Sequence, residues 1–281
     1  MPWPSASARR GGLVCYVTDR RALPPPSLCC APHPLGWAAR LLETIARAAE
    51  AGVDAVQLRE KDLSGKALWD LAAAANTHAP NKLLINDRLD VALAVGAAGV
   101  HLGGESVPVA EVTRLRSPVA PASRAGHFAE REDKIPAGAR SKRQGKGPQA
   151  GAGPRSIGAG RRRDQTGAAV GAPALPEGFL VGRSCHSAEE ALEAERAGAD
   201  YVYFGPVYAT PSKARFGPPQ GLEALAAVCC RVRIPVVAIG GITLENAAAC
   251  LAAGAAGVAA IRLFQEAADL AAVVRALKQQ A

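Results

Sequence analysis

The stretch AGADYVYF, residues 197–204, decides the fold. It begins where a helical pattern ends, passes a glycine suited to the left-handed position that closes a helix, and continues as an apolar run of strand type. Three other stretches share this layout: AGVDAVQL (51–58), GAAGVHL (96–102) and AGAAGVAAI (253–261). A helix end, a glycine turn and a strand, repeated, mark successive units of one architecture.

Outward from these stretches, short apolar runs fall at 13–17, 55–58, 83–85, 99–102, 179–182, 201–205, 236–239 and 258–261. Helical patterns separate or follow them at 38–51, 65–75, 88–95, 109–114, 188–197, 222–228, 244–253 and 267–278. Eight strands alternating with helices predict parallel pairing and closure into an α/β (β/α)8 TIM barrel. A doubly wound open sheet is the alternative. It calls for a glycine-rich turn after the first strand, where this chain reads VTDRRALPPP (17–26).

The length of 281 residues, 49% of them hydrophobic, suits one sizeable domain. The net charge of +8 is uneven: residues 117–176 hold 11 Lys/Arg and 4 Asp/Glu, hence +7 of it. That segment has no helical or strand period and is expected to be a disordered basic insertion between strands four and five. Residues 1–12 are expected to be a flexible tail, with the barrel domain spanning 13–281. Arg161, Arg162 and Arg163 lack the aromatic or folded context of a nucleic-acid site, so no nucleic-acid partner is expected. The seven cysteines form no C-x-x-C pair and no zinc spacing, which fits idle thiols in a reducing cytoplasm. No leader pattern and no apolar run of about 18 residues points to a membrane. A homo-oligomer is left open.

In a closed barrel, ligands meet the carboxyl ends of the strands. There the sequence sets Arg59, Glu60 and Lys61; Asn86 and Asp87; His101, Glu105 and Ser106; Arg183, Ser184 and His186; Thr210, Ser212 and Lys213; Gly240 and Gly241; and Arg262. Cations, hydroxyls and glycines outnumber carboxylates, a mixture suited to phosphate. Gly240-Gly241 lets backbone N–H groups approach an anion, and Thr243 is placed to cap the helix that follows. Asp87 is a candidate Mg²⁺ ligand beside diphosphate oxygens. Plainer roles exist for each: Asn86-Asp87 as a helix cap, Arg59 with Glu60 as a rim ion pair, and Lys213 as a solvated loop residue. Arrival at successive strand ends favours a functional mouth.

These residues resemble the thiamine phosphate synthase family, including its thiazole tautomerase paralogues. The similar pieces are VTDR, VQLREKDL, LLINDRLDVALAVGAAGVHLGG, GRSCHSAEEA, AGADYVYFGPVYATPSK, PVVAIGGIT and GVAAI. The resemblance implies a TIM barrel and a coupling reaction. Hydroxymethylpyrimidine diphosphate loses diphosphate, and the ring nitrogen of a thiazole phosphate attacks the carbocation, giving thiamine phosphate. It also implies a Mg²⁺ cofactor and two phosphorylated small-molecule partners. By position it assigns Arg59, Lys61, Asn86, Ser184 and Lys213 to the diphosphate and Asp87 to the metal. Thr210, Ser212, Gly240, Gly241 and the backbone near Ile261 go to the thiazole phosphate.

Two departures stand out. Synthases usually carry HxGQxD, whose Asp is a second magnesium ligand. Here HLGGES (101–106) puts Ser106 there, with Glu105 adjacent. GRSCHS (182–187) resembles the tautomerase form, in which the histidine, here His186, moves a proton. The intact REK, IND and TPSK pieces favour the synthase. A thiazole tautomerase and an inactive precursor-binding barrel are the alternatives. On the favoured view Ser184 faces phosphate, Arg183 packs or pairs outside, and Cys185 is an apolar filler.

Overall fold

The computed structural model describes residues 12–24, 36–116, 174–210 and 218–280. The described residues form β1 (Leu13–Val17), β2 (Ala55–Leu58), β3 (Leu83–Asn86), β4 (Gly99–Leu102), β5 (Leu180–Cys185), β6 (Tyr201–Phe204), β7 (Val236–Ile239) and β8 (Gly257–Ala260). Between and after them run α1 (Gly36–Glu50), α2 (Gly65–His78), α3 (Leu89–Ala94), α4 (Val109–Thr113), α5 (Ala188–Arg196), α6 (Gly221–Arg231), α7 (Ala247–Ala252), α8 (Arg262–Gln265) and α9 (Leu270–Gln279). Each strand pairs in parallel with the next, and β1 also pairs with β8, so the sheet is a closed barrel. The expected (β/α)8 architecture is the observed one.

Strand residues alternate between two sides. Leu13, Cys15, Val17, Leu84, Tyr201 and Tyr203 belong to the packed barrel interior. Val14, Tyr16, Val56, Ile85, Val202 and Val258 pack in the layer shared with the helices. The interior is filled, so the mouth has a floor.

The barrel repeats itself across its two halves. Leu13 N–H donates to the Ala256 carbonyl at 2.9 Å, and Leu180 N–H donates to the Ala98 carbonyl at 2.9 Å. A Cβ at Gly257 would lie 2.2 Å from the Leu13 carbonyl oxygen, and one at Gly99 would lie 2.3 Å from that of Leu180. The aspartates of AGVD and AGAD have matching work. Val14 N–H donates to Asp54 at 2.8 Å, and Val181 N–H donates to Asp200 at 2.6 Å. Each carboxylate also meets a cation, Lys278 for Asp54 and Arg116 for Asp200. The repeated sequence is thus a repeated brace at the amino end of neighbouring strands.

Some boundaries differ from expectation. β5 runs on to Cys185, beyond the apolar run, because pairing with β6 continues through Ser184 and Cys185. α7 starts at Ala247 rather than 244, because Asn246 takes the Thr243 N–H at 2.8 Å and holds that stretch as a turn. The short α8 precedes α9, and Asp269 caps α9 through Ala272 N–H at 2.9 Å. Leu175 is buried and donates its N–H to Leu115 at 2.8 Å, so the barrel resumes before 176. Residues 1–11 of the expected tail and residues 117–173 of the expected 117–176 insertion lie outside the described residues. No described helix is long and apolar enough to cross a membrane.

Gly257→Ala should destabilise the protein by about 1–3 kcal/mol, because a backbone oxygen occupies the space a methyl needs. Gly104→Ala, with nothing within 4 Å of the added carbon, should be nearly silent. Urea unfolding midpoints compare the two.

Candidate active site at the barrel mouth

The loop after β2 carries Arg59, Glu60 and Lys61. Glu60 does not form a rim ion pair with Arg59. Its side chain is 1% exposed and reaches across to the end of β1. Thr18 donates its hydroxyl to Glu60 at 2.8 Å, Arg20 N–H donates at 3.1 Å, and the Arg20 guanidinium donates at 3.2 Å. Thr18 Oγ1 in turn accepts Arg59 N–H at 3.0 Å. Arg20 also forks onto Asp62 at 2.5 and 2.6 Å and stacks over the Trp37 ring. Lys61 Nζ comes within 3.8 Å of Asp87. The Arg59 guanidinium has no hydrogen-bond or ion-pair partner among the described residues.

Asn86 and Asp87 do not cap α3. The capping position belongs to Arg88, which makes no side-chain cap bond. Instead a row of amides crosses the floor: Gln57 Nε2 donates to Asn86 Oδ1 at 2.7 Å, and Asn86 Nδ2 donates to Asp87 Oδ2 at 2.6 Å. Asp87 sits in the left-handed region at φ 62°, a conformation aspartate tolerates better than most side chains. Its other oxygen accepts the Ser106 hydroxyl and, at 3.0 Å, Gly103 N–H. Burial opposes the charge on Asp87, but these hydrogen bonds and the Lys61 cation outweigh it, so its pKa lies below the ordinary value. Glu105 is exposed and shares no described contact with Asp87. Among the described residues no three His, Cys, Asp or Glu side chains converge as a metal cluster.

His101 lies under the mouth, 1% exposed. Its Nε2 is 2.8 Å from Ser184 Oγ and its Nδ1 is 3.1 Å from the Tyr201 hydroxyl. Burial pushes its pKa down from 6.5 to about 3; Asp87 opposes this, while the Arg183, Arg59 and Lys61 charges add to it. The imidazole is therefore neutral near pH 7, with one ring nitrogen a donor and the other an acceptor.

Arg183 turns inward to the β4 loop and donates to the Gly103 carbonyl; it does not pair outside. Cys185 is buried, and that burial pushes its thiol pKa up to about 12, as an inert filler requires. His186 is exposed, with Nδ1 on the Gly205 carbonyl and its backbone N–H donated to Glu190 at 2.6 Å. Thr210 is half-buried after β6, while Ser212 and Lys213 lie outside the described residues.

Gly240 and Gly241 follow β7 with φ of 97° and 65°. A Cβ at Gly241 would come within 2.7 Å of Ala209 O and Tyr208 Cβ, so the turn fits under the β6 loop only as glycine. Thr243 does not cap α7. Asn246 takes its N–H and also donates to the Gly241 carbonyl at 2.9 Å, fixing the turn from behind. Ile261 precedes α8 at the end of β8.

The structure thus links Lys61, Asn86 and Ser106 directly to Asp87, and joins Ser184 to them through His101, whose carbonyl accepts the Asp87 N–H at 2.9 Å. Gly240, Gly241 and Ile261 stand at the other strand ends of the same mouth. Sequence reasoning missed Gln57, Tyr201, Thr18 and Asn246, and listed His101 without a role. Period-two alternation in VQL and GVHL marks Gln57 and His101 as inward polar residues, a signal that could have found them.

Fold and mouth define a (β/α)8-barrel protein that gathers polar and charged side chains at the carboxyl ends of its strands. The profile of the family described as thiamine monophosphate synthase matches residues 28–121 and 162–264. A putative thiamine-phosphate synthase of Geobacter sulfurreducens is 38% identical over 224 residues, covering 79% of this chain and 78% of that protein. The thiamine-phosphate synthase of Methanoculleus marisnigri is 35% identical over 83% of this chain and 84% of its own. The solved thiamine phosphate pyrophosphorylase of Pyrococcus furiosus superposes with a TM-score of 0.62 at 27% identity, covering 96% of each chain. This chain belongs to the thiamine monophosphate synthase family.

His101 gives a pH signature. Its folded pKa lies below its unfolded one, so its contribution is complete above about 6.5 and declines as pH falls toward about 3. Wild-type Tm should fall as the buffer is taken from pH 7 to about pH 4. His101→Asn should start lower and fall less over that window, as thermal unfolding followed by circular dichroism would register.

Proposed function

We propose that this barrel couples hydroxymethylpyrimidine diphosphate to thiazole phosphate. The C–O bond to diphosphate breaks with its electron pair on the leaving oxygen. The thiazole nitrogen donates its lone pair to the resulting carbocation, giving thiamine phosphate and diphosphate. The observation that carries this is the grouping of an ionised Asp87, the Lys61 cation and the Ser184–His101 pair around one end of the mouth. A departing diphosphate needs fixed positive charge and hydrogen-bond donors where negative charge grows.

Arg59 and Lys61 supply that charge. A neutral His101 leaves Ser184 held at a fixed angle, its hydroxyl placed for the diphosphate. Lys213 and Ser212 are assigned to the phosphates by family position. Gly240, Gly241, Thr210 and the Ile261 backbone are assigned to the thiazole phosphate on the opposite side. Asn86 contributes chiefly by orienting Asp87, since both ends of its amide are engaged within the protein.

Mg²⁺ fits the donor chemistry. Asp87 offers an anionic oxygen, and Mg²⁺ commonly takes one or two carboxylates with substrate phosphates completing its shell. Asp87 would hold it, with the Ser106 hydroxyl next to that oxygen and Glu105 farther out. The ion would supply charge neutralisation at the diphosphate oxygens. The five free thiols among the described residues suit the reducing cytoplasm, where we place the reaction.

The relatives' names support the synthase over the tautomerase. Supplied with both substrates and Mg²⁺, the protein should release thiamine phosphate. Asp87→Ala and Lys61→Ala should each lower kcat/KM by about 10²-fold or more, the scale of losing a transition-state electrostatic contact. His186→Ala should stay within a few-fold. Thiazole carboxylate phosphate offered alone should not isomerise; isomerisation that His186→Ala abolishes would establish the rival activity.

A further inference from the structure

Glu60 is a puzzle for a mouth that receives two anions. A carboxylate stands between Arg59 and Lys61 in sequence, and its side chain is withdrawn almost wholly from solvent. Burying a carboxylate is unfavourable unless it is paired and hydrogen-bonded. Here both oxygens are engaged, entirely with the end of β1. Oε1 accepts Thr18 Oγ1 at 2.8 Å and Arg20 N–H at 3.1 Å, and Oε2 accepts Arg20 N–H at 3.2 Å and the Arg20 guanidinium at 3.2 Å.

The network does not end at Glu60. Thr18 Oγ1, while donating to Glu60, accepts the backbone N–H of Arg59 at 3.0 Å. Thr18 is fully buried, so that hydroxyl has no solvent to exchange with. Leu63 N–H closes the turn onto the Glu60 carbonyl at 3.3 Å, enclosing Lys61. The backbone that bears both cations is therefore pinned on one side by Thr18 and on the other by its own turn, with the Glu60 side chain as the common anchor.

We propose that Glu60 is a positioning residue that, through Thr18 and Arg20, fixes the β2 loop so that Arg59 and Lys61 meet the diphosphate. This rests on the proposed synthase function and names a further residue for it. Long cations left on a free loop lose rotamer and backbone entropy on binding; a pinned loop has lost part of it beforehand. Glu60→Gln keeps the shape but turns one acceptor into a donor facing the Arg20 donors, so the anchor breaks.

The test uses the full chain and inorganic diphosphate with Mg²⁺ as the calorimetric probe, alongside steady-state coupling with each substrate varied. Glu60→Gln should weaken diphosphate binding about tenfold, the scale of one hydrogen bond's worth of lost positioning. KM for the pyrimidine diphosphate should rise alike, while KM for thiazole phosphate stays within about twofold. Thr18→Val, which preserves volume and removes only the hydroxyl, should shift the same pair of constants in the same direction, and Thr18→Ser should restore them. Should Glu60→Gln fail to fold, Thr18→Val decides. Unchanged diphosphate affinity in the folded variants, or both KM values rising in parallel with a loss of Tm, overturns the positioning role. A wild-type protein that neither binds diphosphate nor couples the substrates overturns the synthase function and the positioning role with it.

Discussion

Closure of the sheet rests on a contact between opposite ends of the chain. Leu13 lies against Gly257, and only a residue without a side chain permits the approach. From that closure the mouth follows. Eight parallel strands point their carboxyl ends the same way, so residues as distant in sequence as Arg59 and Gly241 stand at one rim. An open sheet with the same strands would spread them along an edge. The filled interior matters equally, because Tyr201 and Tyr203 close the space beneath and give His101 a dry bed.

The dry bed sets the electrostatics. An imidazole in water would share the mouth with Arg59, Lys61 and Arg183 as a fourth cation in mild acid. Buried, it stays neutral and serves as a fixed link between Tyr201 and Ser184. The two carboxylates near the cations are handled differently. Glu60 is turned away and consumed by Arg20 and Thr18, whereas Asp87 remains at the surface of the mouth, its charge favoured by Ser106 and Gly103. Adjacent acidic and basic letters in REKD and INDR thus carry opposite jobs.

The two halves of the barrel also repeat one local turn at the mouth. In each half the third strand is followed by a residue in the left-handed region, Asp87 after β3 and Gly240 after β7. The first offers a carboxylate, which under the proposed function would hold a metal beside the diphosphate. The second offers no side chain and so suits direct approach of a phosphate to the backbone. The same turn, with different chemistry, serves the two ends of one mouth.

Much of this was legible in residue order. Alternation of apolar runs with helical patterns, and the recurrent AG-x-D and GAAG layouts, determined an eightfold barrel, because strand and helix periods are local properties of the chain. The list of rim residues followed from the rule that ligands meet strand ends. The sequence could not decide partners. Whether Glu60 pairs with Arg59 beside it or Arg20 beyond the adjacent strand, whether Asn86-Asp87 caps a helix or lines the floor, and whether Arg183 faces outward were settled only by strand neighbours. The partner lies 40 residues away along the chain for Glu60, on Arg20, and 80 for Arg183, on Gly103. Hydrogen bonds and desolvation act over a few ångströms of space, so the ionisation and orientation of each group exist only once the barrel has closed.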